Sequence, residues 1–152
     1  MADLLVRLYD LPQATTSPAA RLVRRAFAAE KHLVLSWIAQ HFSRAWADEC
    51  ETAFARLPIS CFLAVDNEQL LGFACYDATA RAFFGPFGVM AEARGRGLGR
   101  ALLHATLHDM RANGYAYGIV GAAADPAFYR NEVGAIEIPD SDPGFYRGLL
   151  RS

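Results

Sequence analysis

The sequence predicts an α/β fold, one sheet domain with helices packed on both of its faces. Three observations carry that expectation. Short apolar runs bounded by Gly, Pro and Asn recur along the chain. The segment after Gly97 switches to a helical period, with Leu98, Leu102, Leu103, Leu107 and Met110 on one side. Strand-like and helix-like segments also alternate instead of separating into halves.

Residues 4–9 are apolar apart from Arg7 and read as a first strand. Residues 11–16 contain Pro12 and hydroxyl side chains and read as a loop. Ser17 followed by Pro18 suits a helix start, because Ser caps free N–H groups and Pro fits the first helical position. The composition from there to Arg56 is helical, and two or three pieces are expected. Leu33, Trp37, Phe42 and Trp46 fall into a candidate apolar stripe.

Pro58 ends that region. Residues 59–65 read as a strand, Asp66-Asn67-Glu68 as a tight turn, and residues 69–76 as the returning strand. A third strand over residues 82–90 carries Gly85, Pro86 and Gly88, and Pro within a strand marks an edge, a bulge or a break. The amphipathic helix after Gly99 stops near Asn113-Gly114. Residues 115–120 form an apolar strand, and residues 124–133 a short helix opened by Asp125 and Pro126. The tail, residues 136–150, is a terminal strand region that alternates turn residues with Phe145 and Tyr146.

With 152 residues, 53% of them hydrophobic, the chain can bury one ordinary core, and no internal repeat or linker divides it. One domain over residues 1–152 is expected. The formal charge of −1 offers no electrostatic case for nucleic acid. No apolar run approaches the length of a membrane span, and no basic segment followed by an apolar one opens the chain. The three cysteines, Cys50, Cys61 and Cys75, form no C-x-x-C pair, so neither a disulfide framework nor a zinc ribbon is expected. Cys61 and Cys75 fall in apolar runs and are expected as buried thiols, in a reducing, cytoplasmic setting.

The chemistry concentrates in Arg94-Gly95-Arg96-Gly97-Leu98-Gly99-Arg100, between a strand and a helix. Glycines there let the backbone approach a ligand, and the N–H groups opening the next helix suit a phosphate. Arg94, Arg96 and Arg100 add positive charge. A P-loop is excluded, because its Lys and hydroxyl residue are missing. A dinucleotide fingerprint is excluded because Arg100 stands where its third glycine belongs. The plainer alternative is a tight turn with a solvated Arg cluster.

These residues resemble the GNAT superfamily of acyl-CoA-dependent N-acyltransferases. Phe87-Gly88-Val89-Met90 followed by Arg94-Gly95-Arg96-Gly97-Leu98-Gly99 is similar to the family's strand and [QR]-x-x-G-x-[GA] turn. Phe128-Tyr129-Arg130-Asn131-Glu132-Val133-Gly134 is similar to its F-Y-x-x-x-x-G helix end. The resemblance implies a mixed, mostly antiparallel sheet of six to seven strands, splayed between its central strands into a cleft. It implies acetyl-CoA as cosubstrate, no metal, and a small-molecule amine as acceptor. Backbone groups of Phe87 and Val89 would pair with the pantetheine arm. Arg94, Gly95, Arg96, Gly97, Gly99 and Arg100 would hold the pyrophosphate. Gly85-Pro86 would be the splaying bulge, and Tyr129 the general acid that protonates the leaving thiolate.

The sequence departs from the family pattern at two points. Ala122 stands where an Asn is frequent, and Asp125 where an Ala is expected. The strand over residues 82–90 carries no carboxylate to deprotonate the amine, which leaves Asp77, Glu49, Glu51, Glu92 or a chain of waters. His104 and His108 have metal-ligand spacing but lack the companion Glu of H-E-x-x-H, so two solvent-facing histidines are expected. Trp37, Phe42 and Trp46 either line the acceptor pocket or pack as core. The segment Pro143-Gly144-Phe145-Tyr146 either closes over the acceptor or pairs with a second subunit in a homodimer. A non-catalytic acyl-CoA-binding module and a protein acetyltransferase are the competing readings.

Overall fold

The computed structural model describes residues 1–14 and 16–151; Thr15, inside the loop expected over residues 11–16, lies outside them. A single seven-stranded sheet has the order β2-β3-β4-β5-β6-β1-β7. Its strands are β1 (Leu4–Arg7), β2 (Val23–Arg25), β3 (Cys61–Asp66), β4 (Gln69–Tyr76), β5 (Phe83–Val89), β6 (Tyr117–Val120) and β7 (Ile136–Glu137). The helices are α1 (Lys31–His41), α2 (Arg44–Phe54), α3 (Leu98–Ala112) and α4 (Pro126–Val133). Among these residues no helix is long and apolar enough to cross a membrane.

Strand alternation builds two cores. Phe62, Ala64, Ala74 and Tyr76 point to one face, where Leu98, Leu102, Leu103 and Leu107 of α3 cover them. Their neighbours Cys61, Leu63, Phe73 and Cys75 point to the other, against Val34 and Ile38 of α1 and Cys50 and Ala53 of α2. Helices on both faces were the expectation from the sequence, and the register shows why it holds. Both faces of β3 and β4 are apolar, so each needs a cover. The β3–β4 turn holds Asn67 and Glu68 at φ 51° and 63°, the left-handed pair that matches the twist of a tight hairpin.

Several expectations are corrected. The stretch from Ser17 to Arg56 is not all helix: it contains β2, which pairs antiparallel with β3 (Val23↔Ala64, Arg25↔Phe62). Val-Arg-Arg carries no periodic signal. Its charges are absorbed instead by Glu30, 2.6 Å from Arg24, and by Asp109 of α3, 2.7 Å from Arg25. Leu33 is 73% exposed and leaves the expected stripe; Val34 and Ile38 form the buried face of α1. The first strand ends at Arg7, and Leu8–Asp10 is a 3-10 turn. The strand expected over residues 115–120 begins at Tyr117, and the tail contributes only the two residues of β7.

β5 and β6 run parallel, while every other pairing in the sheet is antiparallel. They stay together only at Phe83↔Ile119 and Phe84↔Val120. Beyond Phe84 they part at Gly85-Pro86, with Gly85 at φ 120°. The sheet therefore opens in its middle.

Candidate active site

The opening between β5 and β6 is a cleft of about 790 Å³. Residues of α2 line it from one face of the sheet and residues of α4 from the other. Among the predicted site residues, Phe87, Val89, Arg94, Gly95, Gly97, Gly99, Arg100 and Tyr129 all line it. Arg96 does not: its guanidinium turns away to Asp66, at 2.9 Å.

Beyond Phe84, β5 has one partnered edge and one free edge. The Met90 N–H donates to the Leu71 carbonyl at 2.9 Å. Bonded positions alternate along an antiparallel ladder, so Gly88 addresses β4. Phe87 and Val89 address the side from which β6 has departed. Gly88 also lets a ring come close, since a Cβ there would lie 2.6 Å from the Phe42 ring.

The glycine turn leads directly into α3. Gly97 is its N-cap at φ 78°, a left-handed conformation that any side chain would strain, and no side chain caps the helix. The first N–H groups of α3 are thus free of side-chain partners and face the cleft mouth, with the positive end of the helix dipole behind them. Arg94 and Arg100 flank them. Arg100 also pairs with Glu132 at 2.8 Å.

α4 begins at Asp125, whose side chain accepts from the Phe128 N–H, has Pro126 in its first turn, and ends at Gly134 in the left-handed region. This short helix holds Tyr129 only 9% exposed, edge-on to Phe84 with ring centroids 6.2 Å apart. Burial, and secondarily the charge of Asp125, raise its phenol above the ordinary value of 10.0, so it stays protonated. Among the described residues the Tyr129 hydroxyl has no hydrogen-bond partner.

The four candidate bases separate cleanly. Asp77 is buried, accepts from the Ala82 N–H at 2.7 Å and is also bonded by Tyr115. Glu51 pairs with Lys31 at 2.9 Å. Glu92 lies exposed in the 3-10 turn Ala91–Ala93. Glu49 alone of the four lines the cleft, and there it accepts a hydrogen bond from Tyr146. Trp46 lines it as well, whereas Trp37 and Phe42 pack around Phe73. Sequence reasoning did not reach Phe83 or Met1, which also line the cleft. Nothing in their local pattern separates them from core or surface residues.

The histidine expectation is corrected. His104 is 3% exposed and its Nε2 lies 3.1 Å from Glu132, while His108 Nε2 meets the Pro12 carbonyl at 2.9 Å. The two rings stack on one helix face without converging on a shared point. Burial opposes ionisation of Glu132, but hydrogen bonds from His104 and Arg100 outweigh it and hold the carboxyl below its ordinary range. The three cysteines, far apart in sequence, meet in one core with their sulfurs within 4.8 Å of one another. All three are free thiols.

By sequence, no curated protein matches the chain. By structure, it is similar to a GCN5-related N-acetyltransferase from Sphaerobacter thermophilus, with TM-score 0.71 and 19% identity over 90% of this chain and 48% of that one. It is also similar to a fungal multi-domain GH3 β-N-acetylglucosaminidase that contains a GCN5-related glucosamine N-acetyltransferase region. There the TM-score is 0.68 at 15% identity, over 90% of this chain and 19% of that one. A Drosophila protein gives TM-score 0.62 at 14% identity, over 90% and 47%. The chain therefore spans about half or less of the length of these structures, and at such identities the likeness is one of fold. Residues 29–134, which contain both the glycine turn and α4, match the acetyltransferase (GNAT) family. The chain belongs to the acetyltransferase (GNAT) family.

Proposed function

We propose that the protein is an N-acetyltransferase that moves the acetyl group of acetyl-CoA directly to a primary amine of a small molecule, with Tyr129 as general acid. The observation that carries this reading is the continuity of one cleft. It runs from the uncapped N-terminus of α3, along the free edge of β5, to the unpartnered hydroxyl of Tyr129.

Acetyl-CoA fits these residues in kind. The amides of residues 95–100 would hold the pyrophosphate, including the Arg96 backbone although its side chain is engaged elsewhere. Phe87 and Val89 would bond the pantetheine amides, so that the ligand extends the sheet where β6 does not. In the transfer, the amine nitrogen forms a bond to the thioester carbon and the C–S bond breaks. Tyr129 gives its proton to the departing sulfur and is restored by the N–H proton that the adduct loses. One further proton, shed by the ammonium before attack, leaves to a base.

The free, buried thiols and the formal charge of −1 favour work in a reducing, cytoplasmic setting, on small molecules in preference to nucleic acid. Calorimetry with acetyl-CoA, followed by thiol release over a panel of amines, tests the proposal. Binding with turnover is expected. No association with acetyl-CoA or free coenzyme A at millimolar concentration would overturn it. Binding without modification of any amine would favour a non-catalytic acyl-CoA-binding module, and modification of proteins alone would favour a protein acetyltransferase.

A further inference from the structure

Two carboxylates line the cleft, Glu49 and Asp125. Asp125 is engaged as the N-cap of α4. Glu49 stands three residues after Trp46 on α2, so both side chains share a helix face. Tyr146, from the tail, donates its hydroxyl hydrogen to Glu49 and lies 3.4 Å from the Thr79 hydroxyl. Thr79 belongs to the turn that leads into β5, and Phe83 opens that strand. The tail packs on it, with the Phe145 and Phe83 ring centroids 5.1 Å apart.

Three separate segments, α2, the turn into β5 and the tail, thus converge at one end of the cleft. Trp46, Phe83 and Tyr146 supply aromatic walls there, and Glu49 supplies a negative charge. Of the guanidinium groups that line the cleft, Arg94 belongs to the turn after β5 and Arg100 to the first turn of α3. Six strand steps, roughly 20 Å, separate Phe83 from Val89. Among the described residues no cationic side chain lines the Glu49 end, and the ammonium of Met1, whose residue also lines the cleft, is paired with Asp142.

An ammonium is recognised by a carboxylate through charge-assisted hydrogen bonds and by aromatic faces through cation–π attraction. A substrate carboxylate brought to the same place would face Glu49 with no guanidinium to offset it. We infer that this end is the acceptor subsite, and that it takes a primary amine with an aromatic or branched apolar body and no carboxylate, its ammonium held by Glu49. Tyr146 is a positioning residue that fixes the Glu49 carboxylate. The inference rests on the acetyl-transfer reading above, and within that reaction the proton shed by the ammonium passes to Glu49 and on to solvent.

Matched pairs that differ only in the α-carboxylate test it: 2-phenylethylamine against L-phenylalanine, and 3-methylbutylamine against L-leucine, by thiol release with acetyl-CoA. The amines are expected to exceed their amino acids about 100-fold in kcat/KM. E49Q is expected to cut that ratio about 10-fold or more, and Y146F to raise the amine KM with a smaller change in kcat. Acetyl-CoA affinity by calorimetry and the melting temperature stay unchanged in both variants. Amino acids used as well as the amines, or a ratio indifferent to E49Q, would overturn the acceptor assignment while leaving acetyl-CoA binding intact. Loss of acetyl-CoA binding in the unaltered protein would instead sink the acetyl-transfer reading, and this inference with it.

Discussion

Phe42 lies across Gly88 so closely that a Cβ at residue 88 would sit 2.6 Å from two atoms of its ring. The ring also stacks on Trp46, with centroids 5.3 Å apart and planes at 25°. The junction of α1 and α2 is thereby pinned onto β5 beside the cleft. G88A is expected to destabilise the fold by about 1–3 kcal/mol, the usual cost of overpacking. Urea unfolding reads this directly. Shortening the partner in F42L/G88A should recover part of the loss, and no recovery would mean that the strain lies elsewhere.

Tyr129 makes a kinetic prediction. Y129F removes the proton donor and keeps the ring that packs on Phe84 and Phe128. The expected result is a fall in kcat of about 10²–10⁴-fold with acetyl-CoA affinity unchanged. Because burial raises the phenol above its ordinary 10.0, the alkaline loss of kcat due to this group should lie above pH 10. Unaltered turnover in Y129F would remove the general-acid role.

Acid stability should report Glu132 and Glu30. Arg24 hydrogen bonds lower Glu30, and His104 and Arg100 lower Glu132 against the effect of burial. A carboxyl whose folded value lies below its unfolded one stabilises the fold above the unfolded value, here 4.5, and loses that contribution as pH falls through the folded value. Urea midpoints should therefore hold from pH 7 to about 5 and drop below about 4.5. E132Q should flatten the drop by about 1 kcal/mol.

The thiol cluster predicts silence. Cys50, Cys61 and Cys75 are each fully buried, so no reagent in solution reaches their sulfurs. Burial pushes the Cys75 thiol up, whereas hydrogen bonds from Cys61 and Cys75 bring Cys50 down to about 5, so at Cys50 it is access that prevents reaction. A disulfide-exchange reagent should label none of them in the native protein and all 3 in guanidinium. Rapid native labelling would show that the core between α2 and the sheet opens.

The local signals were strong where one segment alone sets its structure. The period of Leu98, Leu102, Leu107 and Met110 marked α3, Asp125-Pro126 marked the start of α4, and Asn67-Glu68 marked the β3–β4 hairpin. Each of these is a matter of backbone propensity, capping or one apolar face, all written within a dozen residues. β2 had no such signal, because Val23-Arg24-Arg25 becomes a strand only when β3 offers an edge and Asp109 and Glu30 take its charges. His104 was misjudged for the same reason: the partner that accompanies its burial, Glu132, is 28 positions away.

The glycine turn, its helix and the start of α4 were thus determined by the sequence itself, since left-handed backbone at Gly97, a free helix N-terminus and the Asp125-Pro126 cap need no distant partner. Only the tertiary structure decided which carboxylate meets the cleft. Glu49, the Thr79–Phe83 stretch and Tyr146 come from three segments, and no short-range rule couples them. Parting of β5 from β6 opens the sheet, and packing of α2 and the tail brings these side chains to that opening.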